Sequence, residues 1–201
     1  MVDRMKCLVA VVVLLATFAY PISAQETEGT AENEITSPSP DGQFAFLEAA
    51  PEVDDRSVDL IEKKSGKVLL RVVDESRGWS VLWAPDSKRF AIMLRLGHPV
   101  QEIAVYFRDG DTFREIELPE LPEANIPERL RRGKRFPHVA ALNYATADAW
   151  KKDGSLVVKI ETMIDGEGAS VSATRTVVLG FNRSGKAAIL KSTIKFGTAN
   201  D

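Results

Sequence analysis

An aspartate-centred turn recurs three times along this chain, and that recurrence restricts the fold more than any other feature. Ser39-Pro-Asp-Gly-Gln-Phe-Ala-Phe46 opens the first copy. Trp83-Ala-Pro-Asp-Ser-Lys-Arg-Phe-Ala-Ile92 opens the second, and Trp150-Lys-Lys-Asp-Gly-Ser-Leu-Val-Val158 the third. Asp41, Asp86 and Asp153 align. Trp83 and Trp150 each stand three residues before their aspartate, and an apolar run starts at Phe44, Phe90 and Leu156. Proline ends a preceding strand because it fixes φ and donates no backbone hydrogen bond. Aspartate closes a turn by accepting from amides two residues on, and glycine or serine tolerates the bend.

Each copy continues into a hairpin. Ser57–Ile61 and Val68–Val72 flank Lys64-Ser-Gly-Lys67; Glu102–Phe107 and Phe113–Ile116 flank Asp109-Gly-Asp111; Thr176–Phe181 and Ala187–Leu190 flank Arg183-Ser-Gly-Lys186. β-branched runs around a glycine-bearing turn read as paired strands. The copies therefore lie near 38–74, 79–118 and 147–196. Each is expected to be a small antiparallel meander, and a period of about 45 residues signals blades or arrays.

The openings Ser39-Pro-Asp-Gly42 with Phe44-Ala-Phe46, and Trp83-Ala-Pro-Asp-Ser87 with Phe90-Ala-Ile92, resemble the start of a TolB-type, WD-repeat-like β-propeller blade. The third copy follows less closely, since Lys151-Lys152 stand where Ser-Pro is usual. No copy carries the Gly-His and Trp-Asp pairs of WD repeats. The resemblance implies a blade fold; such blades occur in partner-binding periplasmic proteins and beside hydrolase domains, for which the chain leaves no length. Closed propellers use about four to eight blades. Three copies predict an all-β, open or incomplete propeller-like set of antiparallel meanders, whose edges need protection by charge or by a partner.

The spacing from Asp41 to Asp86 is 45 residues, but from Asp86 to Asp153 it is 67. The surplus falls near 119–144, where Pro119, Pro122, Pro127 and Pro137 argue against a strand. Pro127-Glu-Arg-Leu-Arg-Arg-Gly133 predicts one short helix, with proline first, glycine after the end and arginines in the last turn. Ile126 and Leu130, four apart, are placed to pin it. Arg129, Arg131, Arg132, Lys134 and Arg135 make this insertion locally basic, and His138 follows. They are the candidate partner-binding residues, for an anionic partner surface. The competing reading is a solvated loop whose charges discourage edge pairing, and charge runs usually are solvated faces.

The N-terminus specifies export. Arg4 and Lys6 precede an apolar run from Cys7 to Tyr20, and Pro21-Ile-Ser-Ala24 leads into polar Gln25 and Glu26. This is the layout of a cleaved signal peptide over 1–24, shorter than the roughly 20 apolar residues of a permanent span. The mature protein is expected in the periplasm or secreted. Residues 25–37, with Glu26, Glu28, Glu32 and Glu34, read as a flexible acidic leader, and 38–201 as a single β-repeat domain. Cys7 is the only cysteine, so the mature chain holds neither disulfide nor thiolate chemistry. Its formal charge of −3 becomes −4 when Asp3, Arg4 and Lys6 leave, which gives no general attraction to nucleic acid.

Catalytic and metal signatures are missing from the sequence. His98 and His138 are 40 residues apart, which is no zinc spacing. There is no Gly-x-Ser-x-Gly elbow, phosphate loop or dinucleotide fingerprint. Asp109-Gly-Asp111 and Asp165-Gly-Glu167 lack the ligand count of a calcium loop. Trp83 and Trp150 hold matching repeat positions and belong to packing, whereas Trp79 stands outside the pattern and is the more plausible exposed aromatic. No catalytic, cofactor-binding or metal residue is assigned and no cofactor is expected. The leading expectation is an exported, non-enzymatic binding or scaffold module for a protein or envelope component, with no permanent membrane span. Two alternatives stay open: a small-ligand binder or hydrolase using Asp54, Asp55, Asp109 and Asp165, or a structural fragment that self-associates.

Overall fold

Each expected meander forms its own four-stranded antiparallel sheet, and the three sheets follow one another along the chain. The computed structural model describes residues 34–48, 57–73, 78–97, 99–131, 135–166, 169–182 and 184–198, all within the unit Ala31–Asp201. The first sheet holds β1 (Glu34–Thr36), β2 (Phe44–Glu48), β3 (Val58–Glu62) and β4 (Val68–Val73). The second holds β5 (Trp79–Trp83), β6 (Arg89–Gly97), β7 (Val100–Asp109) and β8 (Thr112–Ile116). After a short helix α1 (Glu128–Arg131), the third holds β9 (His138–Trp150), β10 (Leu156–Gly166), β11 (Ala169–Phe181) and β12 (Ala187–Thr198). The all-β class, the open propeller-like arrangement and the single short helix are as expected. The expected signal peptide and most of the acidic leader lie outside the described residues.

The opening turn is the same device in all three sheets. The residue after each aspartate is left-handed: Gly42 at φ 70°, Ser87 at 55° and Gly154 at 84°. Asp41 Oδ1 accepts from the Gln43 amide at 3.0 Å, Asp86 Oδ1 from the Lys88 amide at 3.0 Å, and Asp153 Oδ1 from the Ser155 amide at 2.9 Å. Gly42, Ser87 and Gly154 each donate their amide to the carbonyl three residues back. Left-handed φ explains why this position is glycine twice and serine once.

Three boundaries differ from the sequence reading. Glu34–Thr36, expected within the flexible leader, form β1 and pair with Phe46–Glu48. His138–Tyr144, expected in the insertion, open the 13-residue strand β9, so the third sheet starts well before position 147. Asp165 and Gly166, in the segment weighed above as a calcium loop, end β10, which pairs with β11 from Leu156↔Leu179 to Gly166↔Ala169. The prolines end at Pro137, and strand pairing begins at the next residue.

The strand register also departs from the aligned motifs. The amide two residues before each aspartate donates to the carbonyl of Phe44, Arg89 and Ser155 respectively. Phe44 therefore corresponds to Arg89, not to Phe90, and the extra residue in the second copy turns its apolar side chains to the other face. Phe44 and Phe46 face the second sheet, where they meet Phe113, Trp83 and Phe90. Phe90 and Ile92 face back toward the first. Arg89, Ala91 and Met93 face the third sheet.

Two apolar layers result. Phe44, Phe46, Val58, Leu60, Phe90, Ile92, Tyr106 and Phe113 fill the space between the first and second sheets. Ala91, Met93 and Val105 of the second sheet meet Leu156, Val158, Val177 and Leu179 of the third. Each junction carries the same polar tie. Trp83 Nε1 donates to the Ser37 carbonyl at 3.0 Å, and Trp150 Nε1 donates to the Leu82 carbonyl at 3.0 Å. Both indoles stand three residues before an aspartate, and both acceptors stand four residues before the aspartate of the preceding sheet. The packing role expected of Trp83 and Trp150 is thus one repeated tie between sheets.

Candidate functional site

The insertion is built in two layers. Strands of the third sheet run to 11–13 residues, against 5–10 in the second. The insertion covers part of the inner face of these longer strands. Ala124 is fully buried and Ile126 is 9% exposed within the same core layer, and Leu121, Leu130 and Phe136 pack against it. Polar contacts fix its path. The Ala124 amide donates to Asn143 Oδ1 at 3.0 Å, and Arg175 Nε donates to the Glu123 carbonyl at 2.8 Å. Ile126 and Leu130 pin the helical turn as the sequence predicts, and the Leu130 amide donates to the Pro127 carbonyl.

The basic residues lie on the solvent side of this anchored segment. The Arg129 guanidinium stands 5.7 Å from the Phe196 ring centroid, a cation–π distance. Arg131 is half-buried, with its Nε shielded from water, and stands 3.8 Å from the exposed Glu128 carboxylate, a distance too long for a hydrogen bond. Arg135 is exposed. Arg132 and Lys134 lie outside the described residues. Phe196 is itself 39% exposed, so one exposed aromatic accompanies the charge of Arg129. His138 is exposed at the start of β9.

The two described acidic residues of the alternative reading lie apart. Asp109 ends β7, 3.4 Å from Arg114 Nε. Asp165 lies near the tip of the β10–β11 hairpin, in another sheet, and accepts from Ser170 Oγ at 2.5 Å. Asp54, Asp55 and His98 lie outside the described residues. Among the described residues, no group of three His, Cys, Asp or Glu side chains could hold a metal ion. The aspartates that depart from ordinary acidity are the turn residues. Burial acts to raise Asp41, but hydrogen bonds from Ser39, Gln43 and Ser87 and the Arg108 charge outweigh it and hold the carboxyl low. Ser155, through its hydroxyl and amide, holds Asp153 low, with help from Lys151. These are structural turns rather than acid–base groups.

A cleft that the sequence reading did not anticipate lies where β5, β6 and β7 meet the edge strand β9. It measures about 420 Å³ and is lined by Trp79, Ser80, Arg95, Gln101, Tyr144 and Thr146, with Gly78 at its edge. Trp79 borders it, but its half-buried side chain turns to the first sheet with Val81 and Trp83, so the expectation of an exposed aromatic there holds only in part. Phe46 packs on the indole at 5.4 Å, and Trp79 Nε1 donates to Glu48 Oε2 at 3.3 Å.

No protein-family model matches the chain, and no curated protein matches it. A solved structure, from a study of two prolyl endopeptidases and the role of inter-domain dynamics in their catalysis and specificity, matches over 81% of this chain and 28% of that one. The identity is 14% and the TM-score 0.38, a likeness too distant to carry an argument. No helix among the described residues is long and apolar enough to cross a membrane.

Proposed function

We propose that this protein is an exported, non-enzymatic binding module of TolB-like blade architecture, which docks an acidic protein or envelope component through its insertion. The observation that carries the reading is the division of the insertion into two sides. Leu121, Ala124, Ile126, Leu130 and Phe136 belong to the core layer. Arg129 and Arg135 lie toward solvent, and Arg129 stands over the exposed Phe196 ring. A basic segment held by its own apolar side loses little freedom on docking, which favours binding. Mixed arginine and aromatic surface is the composition typical of interface centres. Export rests on the signal-like N-terminus, and the blade family on the repeat motifs.

The test is crosslinking capture in the native envelope. Wild type is compared with a variant in which Arg129, Arg131, Arg132, Lys134 and Arg135 are all changed to glutamate. One component captured by wild type and lost in the variant is the expected result. Equal capture by both forms removes the insertion from the contact, and no capture above background removes the docking role itself.

A further inference from the structure

Among the described residues, β12 is the longest outer edge strand, and no further strand pairs with it. It runs for 12 residues, against 6 in β4 and 5 in β8. The two shorter edges are each met by the next sheet. Thr112 Oγ1 of the second sheet donates to the Leu69 carbonyl of β4 at 3.0 Å. Arg114 Nη2 of β8 donates to the Ser184 carbonyl, in the β11–β12 turn, at 2.8 Å. The single register shift between β11 and β12 falls at Val178/Leu179. Lys191–Gly197 is therefore a regular run, and an edge of this kind offers backbone groups to another strand.

The two faces of the run differ in chemistry. Lys191, Thr193 and Lys195 pair with Val178, Thr176 and Thr174, on the face turned away from the second sheet. Ser192, Ile194 and Phe196 pair with Val177, Arg175 and Ala173, on the face turned toward it. Ile194 packs against the core there, and Phe196 lies under the Arg129 guanidinium of the insertion. β12 contains two lysines and no acidic residue. No carboxylate among the described residues pairs with Lys191, Lys195 or Arg129.

We propose that an acidic partner docks by adding an extended strand to Lys191–Gly197, with carboxylates on the lysine face and apolar side chains beside Ile194 and Phe196. The inference rests on the docking reading above and names how that partner is held. In strand addition, main-chain hydrogen bonds supply affinity and alternate side chains supply selectivity. Opposite charges across a strand pair stabilise it, and like charges oppose it. Edge lysines discourage pairing with other strands; an acidic strand turns the same two charges into attractions. A second copy is disfavoured, because antiparallel pairing centred on Thr193 sets Lys191 of each chain opposite Lys195 of the other. Arg129, over Phe196, joins the edge to the insertion in one basic surface.

The test uses the protein from residue 25 onward and a short peptide alternating glutamate with valine. One control peptide carries lysine in place of glutamate. A second carries proline at its centre, which removes a ladder hydrogen bond. Hydrogen exchange followed by NMR should show the acidic peptide slowing amide exchange within Lys191–Gly197 and leaving β4 and β8 as they were. Neither control should do so. The double variant Lys191→Glu, Lys195→Glu, at exposed side chains, should bind the acidic peptide about tenfold more weakly. Its melting temperature should be unchanged, and it should take the lysine peptide instead. The proposal is overturned if the acidic peptide protects no β12 amide, if either control protects the edge equally, or if the double variant binds as wild type does. Envelope capture that depends on the insertion charges, with the edge left unprotected by peptide, sinks the strand mode and spares the docking reading. A protected edge with no envelope capture sinks the docking reading and not the strand site.

Discussion

At the scale of single residues, the turn aspartates link the sequence repeat to stability. Asp41 accepts from Ser39 Oγ at 2.7 Å and from the Gln43 amide, and its own amide donates to Ser87 Oγ at 3.0 Å in the next sheet. Ser87 is 1% exposed and left-handed, so one buried hydroxyl serves both the turn and the junction. The carboxyls of Asp41 and Asp153 are both held below the ordinary aspartate value of 3.8. A group with a lowered folded pKa stabilises the fold above its unfolded pKa, and that contribution is lost as pH falls through the folded value. The stability owed to these turns should therefore persist at neutral pH and decline on acidification below about pH 4. Asparagine can still close the turn but does not titrate. Melting curves taken from about pH 6 down to about pH 3 span that window. They should show a smaller acid-induced drop for Asp41→Asn than for wild type. Parallel curves for the two proteins would show that the Asp41 contacts contribute no proton-linked stability.

At the scale of elements, the number of meanders was legible in the sequence, and their register was not. The hairpins follow from β-branched runs around Gly66, Gly110 and Gly185, which take φ of 70°, 59° and 82°. One added residue between Asp86 and Phe90 hid the equivalence of Phe44 with Arg89, because side-chain direction in a strand reverses with every residue. The start of β9 was hidden by the prolines beside it. The cleft at Arg95 was illegible because Arg95 and Gln101 meet Tyr144 and Thr146 only through the packing of the second sheet on the third. The tie between sheets was half visible: the two tryptophans matched, but their carbonyl acceptors are tertiary facts. Replacing Trp150 by phenylalanine keeps much of its packing on Phe181 and the stacking of Arg89 at 5.1 Å. It strands the Leu82 carbonyl, at a cost of about 1–3 kcal/mol. Denaturant unfolding should report that loss. A change under about 0.5 kcal/mol would mean that water replaces the indole and that the tie is not a stabilising contact.

At the scale of the whole molecule, the order of sheets raises the question of what ends the series. The second sheet turns Met93, paired across the strands with Ile103, toward the third. The corresponding pair on the far face of the third sheet is Lys159 and Thr176, and Lys159 Nζ is held by Asp148 Oδ1 at 2.6 Å. Glu161 pairs with Thr174 on that same face. Val157 and Val178 keep one apolar pair on this face, but the two pairs beyond it are polar, as terminal units of stacked arrays require. The first sheet shows the complementary feature, since Pro38 stands three residues before Asp41, where the other two copies place the indole that ties a sheet to its predecessor. Neither end carries the chemistry of the internal junctions, so head-to-tail joining of copies into a ring is disfavoured. Sedimentation of the protein from residue 25 onward should give one species whose mass does not change with concentration. The double variant Lys159→Met, Thr176→Ile restores the internal pattern to the far face, and it should self-associate, because a contiguous apolar patch is then left open to water. Wild-type protein that associates as concentration rises, or a double variant that stays monomeric, would show that the far face of the third sheet does not set the end of the array.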